Sequence, residues 1–249
     1  MLSLDQKEIR VFLASFFDVN FCLLFKSFVF FTTCKLKINT FLNKWLFLGV
    51  MVKIFAAGDF HGDVKTASDL ADKAKDEGAD IIILNGDITE ELDVMPVVGP
   101  FRKLGKKLLL VPGNHDYLVT EFLSKLYKAD NLHKNAVMYR NIGIVGCASL
   151  NIGLHQMTDD EVYSIIVNNF KKIKNAKKKI LVTHVHPANT KMEKFSDFVP
   201  GSKGLRKAIE KCQPDIVICG HVHEAEGLEE QIGKTKVINV GKQGKLIEL

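Results

Sequence analysis

The chain has 249 residues, 47% of them hydrophobic and 25% charged, with a net charge of +5. That is enough apolar material for one large domain or two small ones, and too little charge imbalance for a protein that grips nucleic acid through a basic surface. The five cysteines, at 22, 34, 147, 212 and 219, form no C-x-x-C pair, so they indicate neither a zinc knuckle nor a disulfide framework and fit free thiols in a reducing cytosol.

Residues 1–50 differ from the rest. They hold ten of the seventeen Phe, the single Trp (Trp45) and three of the five excess positive charges. The run from Val11 to Cys34 resembles a membrane anchor, but Asp18, Asn20 and Lys26 interrupt it. A central charge costs about 2.5–3.5 kcal/mol and each large apolar residue returns about 0.3–0.6, so the span is marginal. A signal peptide is disfavoured by the mixed charges at its start and by the lack of a small-x-small cleavage site. Met51 stands immediately before the first strand-like run. The favoured expectation is that translation starts at Met51, leaving 51–249 as the functional domain; a membrane anchor or an accessory helix are the alternatives. A peptide recovered from within residues 1–50 of the native protein would refute the start at Met51.

After Met51 an apolar run ends five times in Gly or Thr and then in metal-capable side chains. "VKIFAAGDFHGD" delivers Asp59, His61 and Asp63, and "ADIIILNGDITE" delivers Asp87. "KKLLLVPGNHDY" ends in Asn114, His115 and Asp116, "KKILVTHVHP" in His184 and His186, and "PDIVICGHVHE" in His221 and His223. Short continuous runs of Ile, Val and Leu fit strands buried on both faces. Between them, helices are predicted over Thr66–Glu77, Tyr117–Lys128, Asp159–Lys174 and Gly204–Cys212, the last with Ser202 as its N-cap. The alternation implies an α/β fold whose ligands gather beyond the carboxyl ends of the strands, so the five tips are expected to meet at one edge of a layered sheet. "AVMYRNIGIVGCAS" reads as two short strands around Arg140–Asn141, and the C-terminal "KTKVINVGKQGKLIEL" as a further strand pair turning near Gly241. Both suggest a second, partly antiparallel sheet. The lysine-rich stretch 171–179 reads as a solvated helix end.

Six of the eight histidines lie at the tips, more donors than one tetrahedral ion uses, and no cysteine accompanies them. Mixed carboxylate and imidazole donors suit Mn, Fe, Zn, Ni or Co. Enough donors for two ions, with one carboxylate to share, points to a dinuclear centre that clamps a phosphate and activates a water. Any single Gly-Asp or strand-end His is ordinary by itself; it is the five in register that carry the reading.

In order, "GDFHG", "NGD", "GNHD", "TH" and "GHVH" resemble the five signatures of the calcineurin-like metallophosphoesterase superfamily, across residues 53–223. The stretch "VPGSKGLRKAIEKCQPDIVICGHVHE" is similar to small prokaryotic phosphoesterases related to the cyclic-nucleotide phosphodiesterases. The resemblance implies a sandwich of two mixed sheets flanked by helices. It also implies a division of ligands: Asp59, His61 and His223 on one ion, Asn114, His184 and His221 on the other, and Asp87 bridging. His115 would serve the leaving oxygen. Asp63 or Asp116 would orient a histidine, and His186, which matches no universal ligand, is open between a substrate contact and a structural residue. The expected activity is hydrolysis of a phosphate mono- or diester by hydroxide generated at two divalent ions.

Two rivals stand beside this. A nuclease would use the same motifs, but residues 51–249 are near neutral and carry no appended basic or aromatic-rich domain, so no stable nucleic-acid partner is expected. A protein-binding scaffold on the same fold would have lost ligands, and none of the expected ones is missing. The expected partner is a small phosphorylated substrate and the expected location cytoplasmic, with membrane contact only through residues 1–50. Substrate, native metals and oligomeric state are not legible.

Overall fold

Strands that read as unbroken apolar runs need cover on both faces, and here two sheets cover each other while helices cover their outer faces. The structure, a computed structural model, describes residues 51–91, 95–195 and 198–249. The expectations for residues 1–50 lie outside the described residues. In chain order the elements are β1 (Lys53–Ala57), α1 (Val64–Asp76), β2 (Ile81–Leu84), α2 (Gly99–Lys103), β3 (Lys107–Leu110), α3 (Tyr117–Leu126), β4 (Asp130–Asn131), β5 (Ala136–Tyr139) and β6 (Ile142–Gly146). They continue with α4 (Asp159–Lys172), β7 (Lys178–Val182), α5 (Lys203–Cys212), β8 (Ile216–Cys219), β9 (Glu229–Ile232), β10 (Thr235–Asn239) and β11 (Lys245–Glu248). Among the described residues no helix is long and apolar enough to cross a membrane.

The first sheet has the order β11-β1-β2-β3-β4 and the second β5-β6-β7-β8-β10-β9. Each has a parallel centre. β1 to β4 run parallel with β11 antiparallel at one edge. β6, β7, β8 and β10 run parallel with β5 and β9 antiparallel at the edges. Alternation within each strand sorts its side chains. Ile54, Ile83 and Leu109 of the first sheet meet Ile144, Ile180 and Ile218 of the second in the shared core. Phe55, Ile82 and Leu110 face α1, α2 and α3 instead, and Val145, Leu181 and Val217 face α4 and α5. Each fully buried Ile or Leu contributes about 1.5–3 kcal/mol, so the three apolar layers hold the sheets in one register.

The helices begin where capping side chains satisfy the first free N–H groups. α1 starts ahead of the predicted Thr66 because the Asp63 carboxylate accepts from Lys65 and Thr66 N–H at 2.9 and 3.1 Å. α4 opens on a capping box between Thr158 and Glu161, with acids in its first turn and Lys171 and Lys172 in its last. Ser202 caps α5 by accepting from Leu205 N–H at 3.1 Å, as expected. The hairpin turning at Arg140–Asn141 is β5–β6.

The C-terminal strand pair is not formed. β10 joins the second sheet, between β8 and β9, and β11 crosses to the first sheet, antiparallel to β1. Gly241 and Gly244, at φ 44° and 63°, turn the chain between them. The partner that β10 does take is β9, a strand too polar ("EEQI") to show as an apolar run.

Candidate metal centre

Contrary to the expectation from sequence, the five tips do not share one sheet edge. Three follow β1, β2 and β3 of the first sheet, and two follow β7 and β8 of the second, so the site forms where the carboxyl ends of both sheets meet. The tips are laced together by backbone. Asp59 N–H donates to Gly86 O at 3.0 Å, His61 N–H to Asp87 O at 2.9 Å and Gly62 N–H to Ile88 O at 2.9 Å. Within the second sheet Gly220 N–H donates to His184 O at 2.8 Å, and across the sheets His221 N–H donates to Asp59 Oδ2 at 3.1 Å. Asp59, His61, Asp87 and His221 all have left-handed backbones, with φ of 60°, 44°, 48° and 72°. Each such residue costs of order 1–3 kcal/mol and persists only where its surroundings impose it. The glycines beside them are demanded by space. A Cβ on Gly113 would fall on Asp87 Oδ1, and one on Gly220 on Asp59 Oδ2.

The side chains converge in three overlapping groups around Asp87, one of which joins His61, Asp87 and His115. In another, Asp59, His61 and His223 present ligand atoms within 4.8 Å of one another; in the third, Asp87, His184 and His221 do the same. His184 Nε2 lies 3.2 Å from Asp87 Oδ2, 3.1 Å from Asn114 Oδ1 and 3.1 Å from His221 Nδ1. His61 Nε2 lies 4.0 Å from Asp87 Oδ2, and His223 Nε2 3.8 Å from Asp59 Oδ1. One N–H on His184 cannot serve three acceptors, whereas four lone pairs aimed at one point suit a cation. His61 Nε2 is buried without a hydrogen-bond partner. The residues present therefore fit divalent ions. His184 Nδ1 donates to Asn85 O at 3.1 Å, which fixes the ring and leaves Nε2 for the ion.

The electrostatics agree. Burial pushes the Asp59 carboxyl up, and Asp87 adds to the push while His184 opposes it. Burial also works against ionisation of Asp87, yet the charge and hydrogen bond of His184 and the His115 N–H hold its carboxyl well below the usual range. Asp87 in turn raises His184 to about 9 against the pull of burial. Burial, with His184 beside it, lowers His221 to about 3. Closely packed carboxylates and imidazoles that distort one another in this way are relieved by positive charge at their centre.

Neither of the two acids between which the histidine-orienting role was left open hydrogen-bonds to a histidine ring. Asp63 is exposed and caps α1, as above. Asp116 is buried and accepts from Gly113 N–H at 2.7 Å and Ile88 N–H at 2.8 Å, tying the third tip to the second. Burial and the neighbouring Asp87 push its carboxyl up to about 6. The residue that does hold histidines is Glu90, which the sequence reading passed over. Its Oε1 lies 3.0 Å from His61 Nδ1 and its Oε2 2.9 Å from His115 Nδ1. Its position three residues past Asp87 was the available signal. His115 is exposed at the mouth, its ring edge-on to His61 with centroids 4.9 Å apart. His186 is fully buried near His221, and burial lowers it to about 4.

A family model described as calcineurin-like phosphoesterase matches residues 52–225. An uncharacterized protein of Methanocaldococcus jannaschii, MJ1162, is 31% identical over 200 residues, 76% of this chain and 87% of that one. Among solved structures, TT1561 of Thermus thermophilus is similar with a TM-score of 0.61 at 17% identity, over 80% of this chain and 99% of that one. A dimetal phosphatase from Danio rerio is similar with a TM-score of 0.53 at 10% identity, over 76% and 86% of the two chains. At these identities the two structures speak for the fold.

Proposed function

The chain belongs to the calcineurin-like phosphoesterase family, hydrolases of phosphoric ester bonds that use two divalent cations, and from that premise we propose that Asp59, His61 and His223 hold one ion, that Asn114, His184 and His221 hold the other, and that Asp87 serves both. The observation that carries the assignment is the pair of donor groups converging on either side of Asp87. When bound, the two ions supply a water of lowered pKa and positive charge against the phosphate oxygens.

The protein's own groups do the rest. Asn85 O and Glu90 set the tautomers of His184 and His61, so that each ring turns its Nε2 toward the ions. Glu90 holds His115 by Nδ1, so that the imidazolium form of that exposed ring would hand its Nε2 proton to the leaving oxygen and be left neutral with its proton on Nδ1. The substrate of this reading is a small phosphate ester, as the family implies, and His115 and His223 are exposed side chains at the site.

The test is turnover of one aryl phosphate monoester and one diester by the full-length protein with Mn²⁺, Ni²⁺, Mg²⁺ and Zn²⁺, alongside metal analysis. Activity that follows the metal, and its loss together with metal content in Asp87→Ala, is the expected result. Purified protein that holds no ion and turns over neither ester would favour the scaffold.

A further inference from the structure

Eight large apolar side chains are exposed among the described residues, and three of them, Leu118, Phe122 and Leu126, lie on α3. They are 62, 56 and 56% exposed. Residues four apart share one face of a helix, so the three form a row about 12 Å long. The core uses the opposite face of α3, through Thr120, Leu123 and Ser124. Two other helices of the outer layers are built differently, since every exposed residue of α1 and of α5 is charged. Single exposed apolar residues are ordinary, whereas a contiguous apolar row marks a contact surface.

The order of residues along the row says what covers it. Leu, Phe, Leu at equal spacing reads the same in both directions. A second α3 running antiparallel about a two-fold axis at Phe122 sets the two Phe122 rings together and Leu118 against Leu126 of the second copy.

The charges fit the same packing. Glu121 and Lys125 are exposed along one edge of the row, 3.2 Å apart. The two-fold axis brings that edge against the same edge of the second copy. Glu121 lies one residue before the axis and Lys125 three after it. The seam therefore reads Lys, Glu, Glu, Lys, alternating between copies, with neighbours about 3 Å apart along the helix direction. Two attractions cross the axis against one repulsion between carboxylates. The exposed charges of α3 cancel, so this face offers no net positive charge to an anionic membrane.

We propose that the Leu118–Phe122–Leu126 face of α3 is the interface of a two-fold dimer of this chain, with its helices antiparallel. Three side chains cover less than the about 800 Å² per partner of a standard interface, so the pair is weak and forms as concentration rises.

Sedimentation velocity of the full-length protein tests it. The mass should rise from one chain toward two between about 1 μM and 1 mM. Phe122→Asp should raise the dimer Kd at least about tenfold. Lys125→Glu puts four carboxylates in the seam and should raise Kd about three- to tenfold. Adding Glu121→Lys to it rebuilds the seam with the signs exchanged, and should return Kd to within about twofold of wild type. All three positions are exposed, so circular dichroism should show the fold unchanged. A wild-type mass that stays at one chain overturns the proposal. So does association that Phe122→Asp leaves unmoved, which would place the contact elsewhere in the chain. A Phe122→Asp effect without recovery in the double variant overturns the two-fold packing. Phosphatidylserine vesicles that bind monomeric wild type and not Phe122→Asp would put a lipid surface there instead.

Discussion

At the scale of single residues, the site turns on which ring nitrogen is free. Glu90 touches two rings at once, His61 at 3.0 Å and His115 at 2.9 Å, each through Nδ1. One ring belongs to the proposed metal set and the other to the proposed proton donor, so losing the carboxylate should affect both functions. Glu90→Gln is expected to raise the Mn²⁺ concentration needed for half-maximal activity and to lower kcat at saturating Mn²⁺, each by about 10–100-fold. His115→Ala should separate the two effects. It is expected to lower kcat by about 10²–10⁴-fold and leave the Mn²⁺ requirement unmoved. Metal titrations followed by activity check both variants. A Glu90→Gln enzyme with normal Mn²⁺ dependence would confine Glu90 to His115, and an unchanged rate in His115→Ala would remove that ring from the chemistry.

At the scale of elements, the glycines that follow β3 and β8 are required because another strand's ligand lies where their side chain would sit. A Cβ on Gly113 would fall on Asp87 Oδ1 and Asp87 N, so Gly113→Ala must displace the shared carboxylate. It is expected to weaken Mn²⁺ binding at least tenfold and to lower stability by about 1–3 kcal/mol. Gly78 is the control. It has φ 73° beyond the end of α1 with nothing within 4 Å of a Cβ, so Gly78→Ala costs about 1 kcal/mol of stability and leaves Mn²⁺ affinity alone. Calorimetric titration of the two variants separates the effects, and equal Mn²⁺ affinity in both would contradict the packing argument. The same local logic explains what could be read from the sequence. β1, β2, β3, β7 and β8 are covered on both faces, so each stands out as an apolar run, and each ligand follows its run directly. Partnership between strands is not local. Nothing in "KLIE" says that β11 leaves β10 for β1, and "EEQI" hides β9 because its side chains are mostly half-exposed. Asp63, Glu90 and Asp116 are three acids on neighbouring turns. Whether each caps a helix, holds a ring or ties two loops depends on packing that spacing does not encode.

At the scale of the whole molecule, the proposed ions join the two sheets, since Asp59, His61, Asp87 and Asn114 come from one and His184, His221 and His223 from the other. Binding to the folded state alone should then show as stability. An ion at about 100 times its dissociation constant adds about 2.7 kcal/mol, which for a domain of this size raises Tm by about 5–10 °C. Chelator should lower Tm by that amount and Mn²⁺ restore it. The pH dependence gives an independent check. In chelated protein His184 is raised to about 9 from an ordinary 6.5, so the folded state holds a proton that the unfolded state has released between those values. Its stabilisation is complete below 6.5 and disappears as pH rises through 9, by about 1.4 kcal/mol for each pH unit between the two values. His133, His186 and His221 have the opposite sign. Burial lowers them to about 4, 4 and 3, so the unfolded state binds more protons below 6.5 and stability falls as pH drops from there. Asp116, raised to about 6, and Asp59, also raised by burial, oppose them over part of that range as two groups against three. Chelated protein should therefore be most stable near pH 6.5–7 and lose Tm on either side. An ion bound at His184 Nε2 excludes the proton, so in Mn²⁺ the decline between pH 7 and 9 should vanish while His133 still drives the acid decline. Melting curves from pH 4 to 9, with and without chelator, decide it: an alkaline limb unchanged by Mn²⁺ would mean that no ion displaces the proton from His184.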